Sequence, residues 1–355
     1  MNFETFYSWV RDLPIVDWHN HLDLAALAED KPLGSLYEVW VKADPYKHRA
    51  MRICGEAERV ITGDAGEDEK WAAWTRTLPK LVGNPVFAWA KMEMEWLGID
   101  GRENISLSEW TPAKMLRKFN VEYCDPGYRM NADDAPDLSA MESVHVRGGR
   151  VLDISVDDVS RLSTFNSQLS TVAAYAATNG WTMLLHMGAM RETSARLRAA
   201  AGPAGGFAGM RSPVDPMAVA AFLNELEKGN ALPRTILMSL NPEAHASLAV
   251  LAGSFVREGV PGYVQLGPAW WWCDHEEGMR DVLEKNAAYG VLSTFVGMTT
   301  DSRSLLSFVR HDYFRRVLCK WIAEKVASGA FPGDESLLRP LLENICYKNA
   351  KGMVS

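Results

Sequence analysis

Cysteine is sparse in this chain. Cys54, Cys124, Cys273, Cys319 and Cys346 are widely spread, and none belongs to a CxxC pair. An odd, scattered set argues against a disulfide framework and fits buried thiols in a reducing cytoplasm. Long apolar runs are missing as well. None reaches the roughly 18 residues of a membrane-spanning helix. The opening stretch, MNFETFYSWVRDLP, carries acidic residues and no continuous apolar segment, unlike a secretory signal. Basic excess is absent too. Lys and Arg number 37 against 45 Asp and Glu, a net charge of −8, and no basic stripe appears. Nucleic acid is therefore not an expected partner, and neither is a membrane. No internal repeat or low-complexity tract is visible.

What the chain has in quantity is apolar residues, 47% of 355. That suffices for a large core. Length alone suggests two or three domains, but α/β barrels often reach this size as one unit. Short apolar runs alternate with helical patterns: LPIVDW, VEYC, SVHV, WTMLLHM, RTILMSL, GYVQLG and LSTFVGM. The later ones are separated by helix-length segments such as NPEAHASLAVLAGSFVREGV. This alternation predicts β/α units around a parallel sheet, with a closed barrel as the natural arrangement. The expected fold is a TIM-like (β/α) barrel over residues 1–24 and 119–355. Residues 25–118 are too long for one crossover and hold Trp40, Trp71, Trp74, Trp89, Trp96 and Trp110. They read as a helical insertion with a tryptophan core. Residues 199–213, AAGPAGGFAGMRSP with its flanking alanine, read as a mobile loop. From Ser302 the tail reads as helical, with a stop at Gly329 and a last helix over PLLENICYKNAKGM.

The ends of the expected strands differ chemically from their middles. IVDWHNHL places His19 and His21 two residues apart, on one face of an extended chain. On that stretch alone, a metal-ligating pair and a plain polar strand end are both open. Further on, Arg147 ends SVHV, His186 ends TMLL with Arg191 shortly after, Asn241 follows ILMSL, Trp270 and Trp271 follow YVQLGPA, and Asp301 and Arg303 follow FVGMTT. In a barrel these ends meet at one face, where catalytic groups gather. Imidazoles from two strands with one carboxylate suit zinc or a similar metal. His48, His145, His245, His275 and His311 lack that placement and read as structural.

The motifs DWHNHL, KADPYKHRAMR, ERVITG, LLHMGAMR, RTILMSLNP, VQLGPAWWW, GMTTDSRS, RHDYFRRVLC and ICYKNAK closely resemble the uronate (glucuronate) isomerase family of the amidohydrolase superfamily. The resemblance runs from about residue 13 to 351. It implies an aldose–ketose isomerase acting on a sugar acid, D-glucuronate to D-fructuronate and D-galacturonate to D-tagaturonate. It implies one divalent metal, commonly zinc, held by His19, His21 and Asp301, with His186 near the metal or the substrate. Tyr46, Arg147, Arg191, Trp270 and Arg303 match positions expected to touch substrate. Tyr46 beside Arg303 would act as base at C2, Asp301 would take the C5 hydroxyl proton, and Arg191 with Arg147 would clamp the carboxylate. A small-molecule sugar acid and a homo-oligomer are the expected partners.

The chain also departs from the family. Pro45 stands where a histidine is usual, and Gly149 where an aspartate is. Residues 155–181 have room for about one helix and no strand, so the barrel is expected to close with seven strands or distort, with none between Arg147 and the strand ending at His186. A metal-dependent hydrolase on the same fold and a non-catalytic sugar-acid binding descendant are the competing readings.

Overall fold

The run TMLLHM (182–187) is buried at every position. A strand with no exposed position suits a parallel sheet covered on both faces, and that is where the computed structural model, which describes residues 1–162 and 167–355, places it. The strands are β1 (Ile15–Asp17), β2 (Val121–Cys124), β3 (Tyr128–Asn131), β4 (Val151–Val156), β5 (Thr182–Met187), β6 (Ala189–Met190), β7 (Gly209–Met210), β8 (Arg234–Ser239) and β9 (Val264–Leu266). The central sheet has the order β3-β4-β5-β8-β9, all parallel. Its middle register pairs Asp153 with Leu184 and His186 with Met238. β1 and β2 form a separate parallel pair, and β6 and β7 a short antiparallel one. Helices follow the strands, among them Ser167–Thr178, Pro216–Lys228, Pro242–Ala252 and Glu276–Tyr289. The sheet and these helices share one core, which includes Trp181, Phe222, Leu248 and Trp321.

Many helices start alike. An Asp, Asn or Thr caps the first turn and a proline follows at the first helical position, where its missing N–H costs nothing. Asp44 before Pro45 is one case, accepting from the Tyr46 amide at 2.8 Å and the Lys47 amide at 3.2 Å. Asp215 and Asn84 act likewise at Met217 and Val86. Between residues 24 and 118 all the regular elements are helical. Trp40, Trp71, Trp74 and Trp89 are buried there in a second core, closed by Leu305–Val309. Trp40 meets Trp74 edge-on at 5.5 Å, and Trp96 stacks on Phe119 at 3.8 Å.

Three expectations need correction. SVHV is not a strand but the end of the Leu138–Val146 helix. Asp137 caps that helix, accepting from the Ala140 amide at 2.9 Å, and local capping outweighs the β-branched pair at its end. A strand does lie between Arg147 and the strand ending at His186: β4, Val151–Val156. Asp153 and Ser155 interrupt its apolar run, as Arg129 and Asn131 do in β3, so both strands escaped the hydrophobic pattern. LSTFVGM holds a short helical turn, Leu292–Thr294, and then extended chain with no strand ladder among the described residues. There, side chains take over the pairing: the Thr300 amide donates to Asp17 Oδ1 at 2.6 Å and the His19 amide to Thr299 Oγ1 at 2.9 Å. The tail is helical as expected, over Val309–Ala327 and on from Glu335. Part of the expected loop at 199–213 belongs to the Ala195–Ala201 helix and to β7. Among the described residues no helix is long and apolar enough to cross a membrane.

Candidate active site

His19 leaves β1 fully buried and meets the chain that carries Asp301. Its Nε2 lies 3.1 Å from Asp301 Oδ1, and His21 Nε2 lies 2.8 Å from the same oxygen. The other oxygen, Oδ2, accepts from Trp270 Nε1 at 2.7 Å. Asp301 adopts a left-handed backbone, φ +47°, and Trp271 another, φ +51°. Such conformations cost roughly 1–3 kcal/mol each in a residue with a side chain, and they cluster at functional sites. His186, near the end of β5, packs its ring 5.1 Å from that of His19 and 4.5 Å from that of Trp270.

Asp153, on β4 next to β5, completes the cluster. Its Oδ1 lies 2.6 Å from His186 Nδ1, and its Oδ2 3.7 Å from His19 Nε2. Burial by itself would raise its carboxyl, but His186 and His19 outweigh that and hold it down to about 2. Burial also works against the Asp301 carboxylate, and there the rings of His21 and His19 win, keeping it well below the usual range. An ionised Asp153 must accept, so the neutral form of His186 carries its proton on Nδ1 and turns a lone pair outward on Nε2. That Nε2 is buried with no partner, as is Nδ1 of His19.

Buried polar atoms are normally paired, so these leftover nitrogens mark a site built for something else. His19, His186 and Asp301 each offer a ligand atom, and the three atoms lie within 4.8 Å of one another. A carboxylate holding the far nitrogen of an imidazole is the usual support of a metal-ligating histidine. The donor set therefore fits a divalent ion. His21 stands beside this trio. Its Nδ1 meets a guanidinium nitrogen of Arg129, which can only donate. His21 then carries its proton on Nε2, toward Asp301.

One cavity of about 240 Å3 gathers His21, Tyr46, His186, Arg191, Trp270, Asp301 and Arg303. Tyr46 sits in the first turn of the Pro45–Ile53 helix, its ring edge-on to Trp89 and Trp272, each at 5.4 Å. Burial pushes its phenol up, while the guanidinium groups of Arg310 and Arg303 pull it down. Arg191 is held by Asp157 at 3.0 Å and by Ser155 Oγ at 3.0 Å. Arg303 has no ion pair among the described residues. Arg147 is the exception and a correction. It closes the Leu138–Val146 helix instead of a strand, pairs with Asp125 at 3.1 Å, and faces a different cavity with Tyr123 and Cys124. Sequence reasoning missed Asp153, whose signal was a lone acid inside the apolar run VLDIS. It also missed Arg310, buried against the rings of Trp89 and Tyr46 and paired with Asp274.

Fold and site together define an α/β protein with a parallel sheet and a histidine–carboxylate cluster beside a small cavity that is also lined by guanidinium groups. Comparison with known proteins gives the class a name. The family model described as glucuronate isomerase matches residues 1–121 and 140–354, and the chain belongs to that family. It is 31% identical to a uronate isomerase of Bacillus licheniformis over 443 aligned positions, covering 98% of this chain and 93% of that protein. It is 32% identical to a uronate isomerase of Caldicellulosiruptor bescii, covering 98% and 95%. The crystal structure of a uronate isomerase from Thermotoga maritima superposes with a TM-score of 0.82 at 25% identity, over 99% of this chain and 97% of that one. A glucuronate isomerase from Caulobacter crescentus shares the fold, with a TM-score of 0.81 at 19% identity.

Proposed function

We propose that this chain interconverts uronates as an aldose–ketose isomerase, D-glucuronate with D-fructuronate and D-galacturonate with D-tagaturonate. The observation that carries the reading is the convergence of Tyr46, Arg191, Asp301 and Arg303 on one cavity that is also lined by His186, whose Nε2 has no partner. Arg191 takes the substrate carboxylate. Its guanidinium already lies in a carboxylate-binding geometry with Asp157, and a planar fork favours such a partner. Asp301, ionised and oriented by Trp270, takes the C1 hydroxyl proton as the hemiacetal ring opens and passes it to the C5 oxygen that leaves C1. Tyr46, as its phenolate, removes the C2 proton and returns it to C1, while the O2 hydroxyl proton passes to O1, leaving a C2 ketone and a C1 alcohol. Arg303, with no ion pair among the described residues, stabilises the enediolate oxygen as charge develops there. Arg310 supports Tyr46 from behind, opposing the burial that disfavours its ionised form.

His19, His186 and Asp301 would hold a divalent ion, with His21 alongside; imidazole and carboxylate donors favour zinc. When bound, such an ion supplies Lewis acidity toward the sugar carbonyl. The fold itself we read as a closed (β/α) barrel with residues 25–118 as its helical insertion. In support, β9 reaches residue 296 through Gln265 (3.0 Å to the Val296 amide), the Asp301 amide donates to the His19 carbonyl at 3.2 Å, β1 pairs with β2, and β2 leads directly into β3. Five free thiols suit the reducing cytoplasm.

The test is incubation with glucuronate and with galacturonate in deuterated water, followed by NMR. Ketose should accumulate. Binding of either acid with no ketose at any time would identify a non-catalytic descendant instead.

A further inference from the structure

The glycine-rich segment after the Ala195–Ala201 helix forms one wall of the cavity, through Pro203, Ala204, Gly205, Gly206, Phe207 and Ala208. Its back lies on the Pro45–Ile53 helix that carries Tyr46. Residues 45, 49 and 52 share one face of that helix, at i, i+4 and i+7. Contact along this face is continuous. Arg52 Nη1 donates to the Gly205 carbonyl, and Arg49 Nη1 donates to the Ala208 carbonyl at 3.2 Å. Between them, a Cβ on Gly206 would stand 2.3 Å from the Pro45 carbonyl oxygen, and Gly206 has φ +84°. Both the space and the backbone conformation therefore require glycine there.

The two arginines are themselves anchored. Glu58 holds Arg52 through Nε at 2.7 Å and Nη2 at 2.6 Å. The Arg49 guanidinium lies 4.7 Å from the Trp272 ring centroid, and that ring meets Tyr46 edge-on at 5.4 Å. On the far side, Thr193 Oγ1 donates to the Phe207 carbonyl. A Gly-Pro-Ala-Gly-Gly stretch has little side chain to pack and much backbone freedom to lose. Its position therefore depends on these hydrogen bonds to its carbonyls. Neither arginine lines the cavity, so neither touches a ligand within it.

We propose that Arg49 and Arg52 are positioning residues for substrate: they clamp the 202–208 strap to the helix that presents Tyr46, fixing the width of the pocket between Tyr46 and the wall that confines the sugar. This rests on the uronate isomerase reading of the cavity.

The test uses the full-length, metal-replete protein. Arg52→Ala removes the charge-assisted hydrogen bond to the strap together with the Glu58 pair that orients it, so KM for glucuronate and galacturonate should rise about tenfold. Tyr46 keeps its own helix, so kcat should hold within about twofold. Arg52→Lys, which keeps the charge but not the planar fork that reaches Glu58 and Gly205 from separate nitrogens, should recover part of the loss. Gly206→Ala should raise KM in the same direction with no charge altered. Hydrogen exchange at the amides of 204–208 reads the strap directly, and it should speed up in Arg52→Ala and Arg49→Ala. Unchanged exchange overturns the proposal, as does a fall in melting temperature and kcat together at constant KM. A wild-type protein that turns over neither uronate, while exchange still speeds up in the variants, overturns the isomerase reading and upholds the clamp.

Discussion

Asp17 and His19 leave the same strand, and each sits in a buried cluster of histidine, carboxylate and hydroxyl groups. The two clusters differ in what is left over. Asp17 Oδ1 accepts from His311 Nε2 at 3.0 Å, Thr299 Oγ1 at 3.1 Å and the Thr300 amide at 2.6 Å. Its Oδ2 accepts from Thr300 Oγ1 at 2.7 Å and Asn20 Nδ2 at 3.2 Å. No side-chain atom of Asp17, Thr299, Thr300 or His311 is buried without a partner, whereas around His19 two imidazole nitrogens are. The closed cluster ties β1 to the 299–300 segment and to the Val309–Ala327 helix. The open one faces the cavity. Similar residues therefore do different work, and the unspent hydrogen-bonding capacity tells which is which.

The sharpest way to break this comparison is to remove the open cluster's donors. His19→Ala or His186→Ala should take bound metal from near one ion per chain to a small fraction, by elemental analysis of protein prepared without chelators. Several kcal/mol of transition-state stabilisation should go with it, a rate loss on the order of 10^3-fold or more. Full metal content in both variants would mean that the leftover nitrogens serve another purpose. Tyr46→Phe comes next. It leaves the metal site intact, and kcat should drop roughly 10^2- to 10^4-fold if the phenol moves the C2 proton. Near-normal turnover on every uronate accepted by the wild type would assign that proton to another group.

Asp153 separates the clusters more finely, because it acts through His186. Asp153→Asn keeps the shape but no longer fixes the proton on Nδ1. Metal affinity should fall about 10- to 100-fold, measured by competition with a chromophoric chelator. An unchanged affinity would reduce Asp153 to a buried counter-ion. Arg191→Lys should have a comparable effect on substrate, with KM up roughly ten- to a hundred-fold for one lost bidentate contact.

These residues also show what the sequence disclosed and what it did not. His19, His21, His186, Trp270, Asp301 and Arg303 stood at the ends of apolar runs, and strand geometry brings such ends to one face. β5 and β8 were legible because each holds an unbroken apolar run, MLL and ILM. β3 and β4 were not, because polar residues break their pattern, and the reason for Asp153, the buried one, lies in partners on other strands, 33 residues away at His186. Arg147 looked like a strand-end residue only because SVHV looked like a strand, when a cap at Asp137 decided otherwise. The tie between residues 299–301 and β1 was equally hidden, since side chains make it in place of a backbone ladder.

The smallest effect belongs to the closed cluster, and it should appear in stability alone. His311→Phe keeps a ring of similar size and leaves Asp17 short of a donor. At neutral pH this should cost about 1–3 kcal/mol, read by chemical denaturation, with metal content and turnover unchanged. The cost should depend on pH in a definite sense. Burial lowers the His311 pKa in the folded protein, against the opposing pull of Asp17, so the unfolded chain takes up a proton at higher pH than the folded one. A group depressed in this way stabilises the fold above its unfolded pKa, about 6.5 for histidine. That contribution fades as pH falls through the folded value. The wild type should lose stability on acidification below about 6.5, the variant lacks that loss, and the gap between them should narrow. A gap that widened on acidification would mean that His311 is charged in the folded state. A turnover loss in His311→Phe would mean that the two clusters are one functional unit after all.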